Sequence, residues 1–301
     1  MKKGVMFALI TALVSGISIF INAFGVKGIN PYLFTFLKNI IVAVFLISLI
    51  VLFKNFKELK KLNFKDWKIL ILIGLIGGSI PFLLFFKGLQ LTTAGESSFI
   101  HKTMFVFVSI LAVMFLREKL TKKVVIPALI LLIGNFLLLS INNFSLSYGN
   151  LLIFIATLFW SFEIIIAKKI LKRLNSDIVA FGRMFFGSIF ILIFLIFTDQ
   201  LSLINTVNYS NIGWISITSL FLFVYVFTWY KALKFTKASL ATAILLVGGI
   251  VTTLLDLIFL HKTISIYQFT GLVLLVIGII YFVKYTKNTK KEFLLHSPDG
   301  S

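Results

Sequence analysis

Apolar residues run through this chain in long blocks, broken by short clusters of lysine, asparagine, glycine and serine. A helix that crosses the hydrocarbon layer of a bilayer needs about 20 predominantly apolar residues. Ten blocks reach that length, at about 4–24, 32–53, 68–86, 96–116, 124–141, 149–168, 177–198, 212–230, 238–260 and 266–285. The pattern predicts an all-α integral membrane protein of ten transmembrane helices. Only 54–67 and 199–211 are long enough to form real loops, which leaves no room for a soluble domain. The first block follows Met1-Lys2-Lys3 and is closed by no small-residue cleavage site, so it reads as a retained span.

The blocks fall into two worn copies of each other. Phe86-Lys87-Gly88-Leu89 reappears as Tyr230-Lys231-Ala232-Leu233, an offset of 144, and Ala94 and Gly134 map onto Ala238 and Gly278. Phe36-x-Lys38 returns as Phe181-x-Arg183 at an offset of 145. Five spans per copy force the second copy to enter the bilayer upside down. The expected division is 1–145 and 146–287, followed by a polar cytoplasmic tail over 288–301, with disorder expected over Lys291–Ser301. Inverted repeats around a midplane site are a common plan of secondary transporters.

Composition agrees with the blocks: 59% hydrophobic and 13% charged residues, against about a quarter charged in a soluble domain. The net charge of +19 invites a nucleic-acid reading until its distribution is followed. Of the 29 basic residues, 23 sit before the first block, on alternate loops or after the last block. Positive charge marks the cytoplasmic side, so both termini are expected inside a cell membrane, inner or plasma, and nucleic acid is excluded as a partner. Trp67, Trp214, Trp229, Tyr230, Tyr267 and Tyr285 fall near block ends, where interfacial aromatics belong. Without cysteine there is no disulfide frame or thiolate. No phosphate-binding loop, His-Glu-x-x-His or paired aspartate occurs, so neither a catalytic site, a metal site nor a cofactor is expected. Asn143-Phe144-Ser145 and Asn208-Tyr209-Ser210 match only the weak glycosylation pattern.

Ionisable groups inside a span are costly unless paired or wet, so each is a functional candidate. Glu163 and Arg183 come out at about 8 and 9 Å from the basic face at 1.5 Å per residue, close enough to be partners. Lys38, His101, Lys102 and Asp256 lie toward the other face, and Glu96 opens the fourth block. Lys38 and Arg183 are repeat-equivalent, which suits a structural tie as well as a binding role. Glu163 instead faces Ser18 in the alignment, and His101 and Lys102 face Leu245 and Leu246. Such asymmetric residues suit contact with an asymmetric solute. Trp160 lies mid-span and, with Tyr225, is expected either to pack helices or to wall a cavity. Gly77, Gly78 and Pro81 interrupt the third block and are expected to form a hinge; Gly248-Gly249 suits close packing.

These features together resemble the EamA-type group of the drug/metabolite transporter superfamily. The resemblance rests on Leu37-Lys38-Asn39 with Gly182-Arg183-Met184, on the run Phe85 to Ala94, on Arg117-Glu118-Lys119-Leu120-Thr121 and on Leu158-Phe159-Trp160-Ser161, and it covers residues 4–285. It implies a cavity lined by both halves and a small polar metabolite as cargo. In that reading Lys102, with Lys38 nearby, binds a carboxylate or phosphate, while Glu163 binds an amine or carries a coupling proton. Efflux of lipophilic cations on Glu163 is the alternative. A non-transporting scramblase or scaffold is a third.

Overall fold

The computed structural model describes residues 2–53, 56–138, 147–260 and 265–295, and every regular element among them is helical. Eight helices are long and apolar enough to cross a bilayer: α1 (Lys3–Gly25), α2 (Pro31–Leu52), α3 (Phe64–Leu91), α4 (Ala94–Leu116), and, after α5, α6 (Tyr148–Ile170), α7 (Ser176–Phe197), α8 (Tyr209–Phe235) and α9 (Ala238–Phe259). Two shorter apolar helices complete the ten: α5 (Val124–Leu138) and α10, whose apolar part is Ile266–Tyr281. α10 runs on to Leu295, so residues 288–295, expected in the polar tail, are helical. The Asn143 motif, Lys262, His261 and His296 lie outside the described residues, as does the side chain of Tyr285.

Most span starts carry their own cap. Asn30 precedes Pro31 and accepts from the backbone of Tyr32 and Leu33. Asn63 with Asp66, Thr93 with Glu96, and Asn208 with Asn211 form reciprocal capping boxes, and Ser147 and Asn175 cap α6 and α7. Each cap satisfies backbone N–H groups that the bilayer cannot hydrate.

Packing shows the internal two-fold. α1 lies along α8, and its counterpart α6 lies along α3. α6 also packs on α4 and α1 on α9, while α2 meets its equivalent α7 and α5 meets α10. Broken helices obey the same symmetry. α4 breaks at Thr103 and α9 at Leu246, where the backbone tightens to i→i−3 bonds of 3.1 and 3.2 Å. The sequence did not announce the break at Thr103.

α3 carries the third interruption, at the glycines where one was expected. Gly74–Ser79 forms a π-helical segment, and Pro81 opens the helix that follows. Here α3 and α7 meet backbone to backbone. A Cβ on Gly78 would strike the Arg183 carbonyl oxygen, and one on Gly187 would lie 2.6 Å from the Gly78 carbonyl carbon. Gly248 and Gly249 serve close packing as expected, against Ala12 and Asn135.

Candidate functional site

Pro81 has no N–H for the carbonyl four residues back, which is Gly77. That oxygen is taken instead by Trp160 Nε1 at 2.9 Å and Arg183 Nε at 3.1 Å. The next carbonyl, Gly78, accepts from Asn39 Nδ2 at 2.8 Å. One proline-and-glycine defect thus gathers side chains from α2, α6 and α7 around a single turn of α3.

Above this turn, between mid-bundle and the end away from the termini, lies a cavity with about 60 Å³ open to water-sized molecules. Its polar stripe is Ser15, Ser18 and Asn22, which share one face of α1 by helical spacing. Phe82, Phe85, Phe86, Trp160 and Tyr225 form aromatic walls, and Lys38, His101 and Arg183 bring basic nitrogen. Among the described residues, no acidic side chain lines it. Lys38 is buried, donates to Asn22 Oδ1, and lies 4.2 Å from the Phe86 ring centroid and 4.7 Å from that of Phe34. Arg183 stands at the floor, 5.3 Å from the Phe82 centroid and 5.9 Å from that of Tyr230. The repeat-equivalent bases therefore sit on aromatics four residues apart in α3 and on the repeat-equivalent pair Phe86 and Tyr230. His101 packs edge-on to Phe85 and Trp160, with centroids 5.9 and 5.3 Å away.

Other expected site residues stand one layer back or elsewhere. Lys102 does not line the cavity; its ammonium donates to Ser15 Oγ at 2.9 Å from behind the wall. Glu163 lies beneath the floor, where a Cβ on Gly77 would collide with its Cγ. Its partner is the Tyr230 hydroxyl, which donates to Oε1 at 2.6 Å, while Oε2 has no hydrogen-bond partner. Arg183 neighbours this pair without the direct carboxylate pairing the sequence suggested. Tyr230 and Trp229 are thus not interfacial aromatics but buried ones, with Trp229 stacked on Tyr225 at 6.3 Å. Glu96 is a cap: it accepts from Thr92 Oγ1 at 2.5 Å and from Asn150 Nδ2 at 3.4 Å, tying α4 to α6. Asp256 borders a separate cavity beside Lys27.

The end bearing the basic loops is closed by charged ties. Glu118 accepts from Ala238 N, Ser239 N and Ser239 Oγ at 2.7, 3.2 and 2.5 Å, capping α9. Lys168 donates to the carbonyls of Leu233 and Thr236 at the end of α8. Arg173 pairs with Asp66, and Lys231 with Asp177 at 3.7 Å. Toward the opposite end the ties are mostly neutral, such as Asn30 to Gln200 at 2.8 Å and Asn211 to the Gly28 carbonyl at 3.1 Å.

The model of the EamA-like transporter family matches residues 2–140 and 147–284, once per five-helix half. The chain belongs to that family. Its relatives include a protein of Clostridium kluyveri described as an uncharacterized transporter, 26% identical over 98% of this chain and 96% of its own. Another uncharacterized transporter, from Archaeoglobus fulgidus, is 27% identical over 94% of this chain and 99% of its own. A crystal structure of a protein 16% identical in sequence superposes with a TM-score of 0.75 over 99% of this chain and 100% of that one, so this fold has a solved counterpart. This chain is accordingly a multi-pass membrane protein of a transporter family, with two five-helix repeats.

Proposed function

We propose that this EamA-family chain is a secondary transporter that carries a small anionic metabolite by alternating access. The observation that carries the reading is the lining of the central cavity: basic side chains from both halves, hydroxyls and aromatic faces, and no carboxylate. A buried ammonium such as Lys38, held only by an amide oxygen and ring faces, has its charge met when an anion arrives. Lipophilic-cation efflux on Glu163 fits poorly, because Glu163 lies below the floor and faces Tyr230.

With both termini cytoplasmic, as the basic loops favour, this conformation opens outward and its charged ties form the closed inner gate. The π-turn of α3 and the paired breaks in α4 and α9 are the bending points. Glu163, with one carboxylate oxygen unbonded, is the group we assign to a coupling proton.

The test is flux in vesicles from cells expressing the chain, against a broad panel of anionic metabolites. Accumulation of at least one anion, abolished by Lys38→Met and by Lys102→Ala in correctly inserted protein, is the expected result. Zero flux across the panel with inserted wild-type protein refutes transport, and undiminished flux in both variants refutes the assigned site.

A further inference from the structure

Resting on that reading, the geometry points to an α,ω-dianion as the cargo: a short molecule with a carboxylate at each end and an apolar middle. The first support is symmetry. Lys38 and Arg183 occupy equivalent positions of the two inverted repeats, and both reach the same cavity. A pseudo-two-fold axis therefore relates two cations within one chamber, and a molecule with an anion at each end has the same two-fold character.

The second is the wall between them. Phe82 and Phe86 stack nearly parallel, 7° apart at 6.0 Å, with Lys38 4.2 Å from one ring and Arg183 5.3 Å from the other. These three legs bound the separation of the cations from above. A four- or five-carbon chain places its terminal carboxyl carbons about 4–5 Å apart, and a charge-assisted contact adds roughly 3 Å at each end. A span of about 10 Å fits within that ladder, and the methylenes lie on aromatic faces.

The third is charge. In the cavity wall stand the basic side chains Lys38, His101 and Arg183, with Lys102 bonded behind it through Ser15, while the acidic Glu163 lies below the floor on Tyr230. The repeat-equivalent pair Lys38 and Arg183 thus faces the cavity with no carboxylate among its described lining residues. A zwitterion such as an amino acid would bring an ammonium into a lining that offers it no carboxylate; a monoanion would leave one base unmet.

Purified full-length protein tests this by thermal unfolding at matched ionic strength, with sodium chloride as baseline. The probes are glutarate and succinate (five- and four-carbon dicarboxylates), pentanoate (monoanion) and glutamine (zwitterion). A ligand that binds the folded state raises the melting temperature according to its occupancy. One or both dianions should bind at least about tenfold more tightly than pentanoate and glutamine, and the better of the two gives the chain length the site prefers. In Lys38→Met and Arg183→Met the dianion should fall to the pentanoate level; the wild-type comparison needs neither variant. Pentanoate or glutamine binding as tightly as the dianions overturns the assignment, as does a preference that survives both substitutions. Failure of both dianions to bind also overturns it, whereas vesicle flux decides the transport reading separately.

Discussion

Removing one hydroxyl from Tyr230 should destabilise the bundle out of proportion to its size. The hydroxyl donates at 2.6 Å to Glu163 Oε1, both side chains are buried, and Oε2 has no hydrogen-bond partner. Tyr230→Phe therefore strips the carboxylate of its side-chain donor. A hydrogen bond to a charged group contributes about 1.5–3 kcal/mol, and an orphaned buried acceptor carries its full desolvation penalty. The expected loss is about 2–3 kcal/mol, a sizeable part of the roughly 5–15 kcal/mol that holds a typical domain together. Glu163→Gln keeps an acceptor for the hydroxyl, so Tyr230→Phe should cost only about 1 kcal/mol in that background. The double-mutant cycle, read by reversible unfolding in mixed detergent micelles, should give a coupling of about 1–2 kcal/mol. Tyr225→Phe is the matched control, a cavity-lining tyrosine stacked on Trp229. A Tyr230→Phe variant within about 0.5 kcal/mol of wild type, or one equally costly in both backgrounds, would refute the bonding described.

Three further outcomes follow from single contacts. Gly78→Ala drives a Cβ into the Arg183 carbonyl and to 3.1 Å from Gly187 Cα, so α3 and α7 must part, at a cost of at least about 2–3 kcal/mol in the same unfolding assay. Gly213→Ala meets nothing within 4 Å inside helix α8 and should be neutral or stabilising by up to about 1 kcal/mol; comparable losses at the two sites would contradict the packing. Glu118→Ala removes the acceptor for two backbone N–H groups at the start of α9 and should cost about 1–2 kcal/mol, with faster hydrogen exchange at Ala238 and Ser239 as its local signature.

Much of this was legible in the residues because the bilayer allows so few solutions. Apolar block length placed the spans, and the repeat offset paired Lys38 with Arg183 before any coordinate placed them in one cavity. The Gly-Gly-Ser-Ile-Pro run located the π-turn, and Pro81 even specifies which carbonyl is set free. Other assignments needed a closer reading that the sequence does support: Thr93-x-x-Glu96 is a capping-box spacing, and Ser15, Ser18 and Asn22 lie on one helical face of α1. Tyr230 was hidden for a physical reason. Its position near a block end suits an interfacial ring, and only the packing of α8 against α1, α2 and α7, which brings its hydroxyl to Glu163, turns it inward. Glu118 was equally opaque, since the helix it caps begins 120 residues later in the chain.

The most direct test of a basic chamber between the halves uses the absence of cysteine from the chain. A single Ser18→Cys places one thiol on the cavity's polar stripe, while Ala43→Cys, buried among packed helices, is the silent control. Modification rates are compared for an anionic and a cationic methanethiosulfonate of similar size. The account predicts that the anionic reagent reacts with Ser18→Cys at least about tenfold faster, as a focused positive field requires. Equal rates, a faster cationic reagent, or no reaction from either side of the membrane would contradict it.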